Sequence, residues 1–154
     1  MTELYDALLG MVPRLSRHAR LLTGSREAAD DYVQLCLERL LYMPRSPSPA
    51  AIARDMFAAL HRVVSDAEIE FDTAIPPGAP RLEQELLSLS IDERRAVLLA
   101  HVEGFDDRDA ARILGCTGEM FRKHLAAGRA RLRRNLSASV FIIEDELLVA
   151  LDMT

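Results

Sequence analysis

The chain lacks tryptophan and any apolar run near the ~18 residues a membrane-spanning helix needs. No membrane span is expected. Residues 1–10 have neither a basic start nor a long apolar stretch, so no secretory signal is expected, and a cytoplasmic setting follows. Only two cysteines occur, Cys36 and Cys116. In a reducing compartment they are expected as free thiols that pack like small apolar side chains, not as a disulfide. His18, His61, His101 and His124 show no metal-ligand spacing such as HExxH and are expected to be surface or packing residues. The sequence shows no glycine-rich phosphate loop and no nucleophile–base pair. Neither an enzyme nor a cofactor-binding protein is expected.

What is present is mostly helical. Apolar residues make up 49% of the chain, largely Leu, Ala, Val and Ile, which suits packed helices. Apolar residues recur at three- and four-residue steps through Val12, Leu15, Ala19 and Leu22, and again through Tyr32, Leu35, Cys36 and Leu40. Pro13 is expected to break or kink a preceding helix that carries Leu4, Leu8 and Leu9, or to start the first of these segments, and Ser25 to cap the second. Pro44 to Pro49 reads as a short stiff linker, and a further helix is expected from Ala50 to about Val64. Periodicity then stops between Asp66 and Pro80, where acids precede Pro76-Pro77-Gly78-Ala79-Pro80. The second half becomes helical again, with Ser90 and Thr117 as caps.

Residues 105–135 have helix-turn-helix form. Asp107 to Leu114 makes a helix, Gly115-Cys116-Thr117 a tight turn, and a longer helix follows at once. The stretch Leu89-Ser90-Ile91-Asp92-Glu93-Arg94-Arg95-Ala96-Val97-Leu98-Leu99, leading into Val102-Glu103-Gly104-Phe105 and this helix pair, resembles region four of extracytoplasmic-function (ECF) sigma factors. Val12-Pro13-Arg14-Leu15 through Leu22-Thr23-Gly24-Ser25 and Asp30-Asp31-Tyr32-Val33-Gln34 resembles their region two. The expected fold is therefore all-α, with a region-two-like subdomain over 1–65, a linker over 66–80 and a region-four-like subdomain over 81–138.

Residues 139–154 differ in kind. Val140-Phe141-Ile142-Ile143, then Glu144-Asp145-Glu146 and a second apolar run, resembles the opening of an α/β receiver domain. A disordered acidic tail is the alternative. A sigma-like module followed by a receiver resembles the PhyR family of response regulators. That resemblance implies a sigma-factor mimic. It would bind a small helical anti-sigma factor, NepR, and release the true ECF sigma factor in the general stress response. Phosphorylation of the receiver, which would otherwise cover the binding surface, would gate the exchange. The resemblance also implies that Glu144 and Asp145 belong to a receiver magnesium site. The phosphate-accepting aspartate would lie further along, so this stretch is expected to be the truncated start of that domain. Magnesium is expected only with an intact receiver.

Candidate partner contacts are Val33, Leu37 and Leu41 in the first subdomain and Leu98, Val102, Phe105 and Phe121 in the second. Each of these can equally serve the core. Residues distinct from the family motifs favour a mimic. Acids at Asp66, Glu68, Glu70 and Asp72 follow the helix that would melt a promoter, and they would repel a phosphate backbone. The second helix of the helix-turn-helix opens with Gly118-Glu119-Met120-Phe121, where Met and Phe suit a protein partner or the core better than base edges. The net charge is −5, and the basic residues cluster only near Arg129 to Arg134. DNA binding is thus not expected. The alternative is a genuine ECF sigma factor that binds promoter DNA and RNA polymerase.

Overall fold

The computed structural model describes residues 2–42, 48–67 and 77–137, and every element among them is helical. The chain divides into two units, Met1–Asp72 and Thr73–Thr154. The expected magnesium pair Glu144 and Asp145, with the whole receiver-like stretch 139–154, lies outside the described residues, as does most of the 66–80 segment.

Unit 1 holds three helices, α1 (Thr2–Thr23), α2 (Arg26–Leu40) and α3 (Pro49–Asp66), each packed on the other two. α1 corrects one expectation. Pro13 lies inside a continuous helix and does not end it. An interior proline costs about 3 kcal/mol of helix stability. Here Leu15, Ala19 and Leu22 follow it with no exposure, so packing against the neighbouring helices holds the segment together. α2 starts as the sequence predicts, with the Ser25 side chain accepting from the Ala28 N–H. α3 starts slightly earlier than expected. Ser48 accepts from the Ala51 N–H, and Pro49 takes the first turn, where its missing N–H is not needed.

The unit 1 core is largely apolar, with a few buried polar contacts. Met56, Phe57 and Leu60 of α3 are fully buried against Leu15 and Leu22 of α1. His18 and His61 are also buried, with their Nε2 atoms 2.9 Å apart. One ring must donate and the other accept, so the pair joins α1 to α3 through a hydrogen bond. His18 meets Phe57 edge-on at 4.9 Å. The Cys36 thiol donates to the Met56 carbonyl at 3.5 Å. Burial pushes that thiol up to about 12, so it packs as an apolar group, as expected.

Unit 2 holds α4 (Arg81–Ser88), α5 (Ile91–Val97), α6 (Asp107–Leu114) and α7 (Gly118–Ser137). α5 has a full capping box: Ser90 accepts from the Glu93 N–H, and Glu93 accepts from the Ser90 N–H. At Leu98 the backbone bonding widens by one residue, from the α to the π pattern. Residues Leu98–Val102 form a π-helical turn, closed by the Glu103 N–H donating to the Leu98 carbonyl at 3.0 Å. The extra residue in the turn lets Val97, Leu98, Leu99 and Val102 all face the core. Asp106 caps α6 and Thr117 caps α7. Gly115 ends α6 at φ +66°, a backbone state that suits glycine.

α5 and α7 approach closely at Gly128. A Cβ there would lie 2.8 Å from Val97 Cγ2 and 3.2 Å from the Glu93 carbonyl oxygen. Val97 is fully buried and cannot step aside. Gly128→Ala gains about 1 kcal/mol of helix propensity, but overpacking costs about 1–3 kcal/mol. We expect the clash to win and Gly128→Ala to lower the denaturant midpoint of unit 2. A raised midpoint would show that the helices can separate without loss.

Candidate protein-docking groove

α2 carries two apolar stripes. Ala29, Tyr32, Cys36 and Leu40 turn inward and are buried. Val33, Leu37 and Leu41 recur at four-residue steps one position round the helix, so they form a second stripe along its flank. α1 has a matching flank in Tyr5, Leu8, Leu9 and Val12, at the spacing of a single helix face. The two flanks do not close on each other. Between them runs an open groove of about 390 Å³, lined by those seven residues together with Asp30, Gln34 and Glu38 on the α2 side. Tyr5 is 58% exposed, Leu9 52% and Leu41 62%, so much apolar surface here is wet. Covering it would return about 25 cal/mol for each Å² removed from water.

The structure therefore places Val33, Leu37 and Leu41 along one groove, where Leu41 is exposed, Leu37 half-buried and Val33, at 5% exposure, part of the unit 1 core. It treats the four unit 2 candidates differently. Leu98 and Phe121 have no exposure and Val102 is 5% exposed, so these three fill the unit 2 core. Phe105 is half-buried, and its N–H donates to the Leu99 carbonyl at the end of the π-helical turn. The adjacent apolar run Val97-Leu98-Leu99 gave no sign of which residues face out, because the π-helical turn resets the helical phase. The α1 residues Tyr5, Leu8, Leu9 and Val12 were missed as site residues. Their signal was available: an apolar face on α1 wider than α2 alone can cover.

α7 also bears on the partner. Its basic residues largely have protein partners. Arg122 Nη1 stands 3.9 Å from Asp107, Arg131 Nε 3.2 Å from Glu93, and Arg129 Nε donates to His101 at 2.6 Å. The first turn shows Glu119 and Met120 to solvent while Phe121 is buried. A helix that reads DNA offers free cations and base-edge donors from that turn. This one offers an acid and a thioether. Among the described residues no group of three or more His, Cys, Asp or Glu side chains could hold a metal ion, and no helix is long and apolar enough to cross a membrane.

The family model for the sigma2 domain of PhyR matches residues 8–68, and that for the sigma-like domain of the response regulator PhyR matches residues 86–130. The phyllosphere-induced regulator PhyR of Methylorubrum extorquens is 30% identical over 143 residues, which is 92% of this chain and 54% of that protein. The chain thus spans about half the length of that relative. The ECF RNA polymerase sigma factor EcfG of Rhodopseudomonas palustris is 32% identical over 150 residues, covering 84% of this chain and 83% of EcfG. Among solved structures, PhyRSL in its complex with NepR from Sphingomonas sp. Fr1 superposes with a TM-score of 0.69 at 23% identity, over 84% of this chain and 86% of that one. At that identity the superposition shows a shared fold, which is the all-α sigma-like fold the sequence predicts.

Proposed function

The chain belongs to the PhyR family of response regulators with ECF-sigma-like domains, and on that footing we propose that it mimics a sigma factor and sequesters a helical anti-sigma protein of the NepR kind. The observation that carries this is the open groove between α1 and α2, which keeps Tyr5, Leu9 and Leu41 more than half exposed. An amphipathic helix laid into such a groove buries its apolar face against those residues. By occupying the inhibitor, the chain frees the true ECF sigma factor, acting in the cytoplasm as a partner-switching element of the general stress response. The role is binding alone and needs no catalytic residue, cofactor or metal. Where a receiver domain follows in the whole protein, it competes for the same surface, and its phosphorylation, with magnesium at the Glu144 and Asp145 pair, shifts the balance toward the open form.

The 32% identity to EcfG favours a second reading, a genuine sigma factor. The two differ in what they bind. Isothermal titration of the purified chain against a NepR-type anti-sigma protein is expected to give a stoichiometric complex with a Kd below about 1 μM. Absence of binding, together with salt-dependent retention of a promoter duplex, would replace the mimic with the sigma factor.

A further inference from the structure

The groove between α1 and α2 has unlike edges. On the α2 edge Asp30, Gln34 and Glu38 stand at four-residue steps beside the Val33–Leu37–Leu41 stripe. Gln34 Nε2 donates to Glu38 Oε1 at 3.2 Å, which aligns the row along the helix. The α1 edge lines the groove with Tyr5, Leu8, Leu9 and Val12 and no charge. Neither residues 3–12 nor residues 27–38 contain a single Lys or Arg, while together they hold Glu3, Asp6, Glu27, Asp30, Asp31 and Glu38. The field over the groove is thus negative, and its nearest source is one row of side chains on one edge.

We propose that the groove takes an amphipathic helix of a partner protein whose apolar stripe is bordered on one side by a file of Lys or Arg, with that file lying along Asp30 and Glu38. This rests on the docking role proposed above and specifies the partner's chemistry. From Val33 to Leu41 the α2 stripe extends about 12 Å, so the partner presents about two to three turns. Its apolar residues sit at i, i+3 or i+4 and i+7, and its basic residues stand beside them at four-residue steps. The charge pattern also biases which way the partner helix is rolled in the groove, because only the α2 edge lines it with carboxylates. The chain's own residues 139–154 are a poor match, since they hold four acids and no base.

Two synthetic helical peptides with the same leucine stripe test this, one edged with Lys and one edged with Glu. Each is titrated into the full 154-residue chain by fluorescence anisotropy, with amide chemical shifts locating the contact. The Lys-edged peptide is expected to bind about tenfold tighter at low salt, as two exposed ion pairs allow, and to shift amides of α1 and α2. The preference should vanish in Asp30→Asn/Glu38→Gln and reverse in Asp30→Lys/Glu38→Lys, with helix content unchanged by circular dichroism. Equal affinities, no binding of either peptide, or a preference that survives the double variants would each overturn the proposal. So would self-association of the free chain on concentration, with shifts confined to the groove, because a second copy would then be the occupant. A NepR-type protein bound equally by the wild type and Asp30→Lys/Glu38→Lys overturns the charge inference and leaves the docking role standing. A Lys preference among the peptides without any binding of the anti-sigma protein does the opposite.

Discussion

Leu37→Asp/Leu41→Asp is expected to weaken binding of a NepR-type anti-sigma protein by about a hundredfold or more while leaving the chain folded. Leu41 is mostly exposed and Leu37 half-buried on the flank of α2, so neither belongs to the fully buried core of unit 1. In a complex both lie under the partner helix. Each loses about 1.5 kcal/mol or more of apolar burial, and each new carboxylate must be desolvated or must hold the partner away. About 3 kcal/mol in total is a factor above a hundred in Kd. Fold is checked by thermal unfolding, affinity by calorimetry. An unchanged Kd with an unchanged melting curve would remove the groove from the interface. Asp is chosen over Ala because truncation alone keeps the surface apolar, and a partner rich in leucine could still cover it.

Arg94→Met should produce the largest loss of stability. Its guanidinium is buried, with 2% of the residue exposed. Nε donates to the Leu86 carbonyl at 2.9 Å, and Nη2 donates to the carbonyls of Leu87 at 3.0 Å and Leu89 at 3.1 Å. These are carbonyls at and just past the end of α4, where helical N–H donors run out, although the Leu86 carbonyl also accepts the Leu89 N–H at 3.2 Å. The positive charge also suits the negative end of the helix. Burial lowers the guanidinium's affinity for its proton, yet an arginine stays charged at neutral pH. Methionine fills the space but leaves the carbonyls buried without that donor. We expect about 3 kcal/mol of destabilisation and a Tm lower by about 10 °C or more. Arg94→Lys should recover only part, since one ammonium cannot span the same three oxygens as a planar fork. A fall below about 1 kcal/mol would mean that water replaces the guanidinium at little cost.

Much of this was legible in the residues. Ser25, Ser90 and Thr117 mark helix starts through their side-chain oxygens, and all three make the caps that chemistry implies. Gly115 marks the turn of the helix-turn-helix for a backbone reason. The flank Val33, Leu37 and Leu41 was legible because four-residue spacing places a second apolar stripe beside an inward one. Three things were not. Pro13 reads locally as a break, and only the tertiary packing of α1 overrides it. The π-helical turn at Leu98 arises from how unit 2 fills its core, and it sends Leu98 and Val102 inward where spacing alone allowed them a partner, while Phe121 is buried from α7. The burial of Arg94 was not legible, because its partners are backbone carbonyls that carry no sequence mark.

The account rests on the chain engaging an inhibitor of a sigma factor in place of the sigma factor itself. Its most direct test is transcription in vitro from an ECF-dependent promoter, with polymerase, the cognate sigma factor and enough NepR-type anti-sigma protein to silence it. Adding this chain should restore transcripts in proportion to its concentration, and it should yield none when it replaces the sigma factor. Transcripts initiated by the chain and polymerase alone, with the silenced reaction left silent, would contradict it.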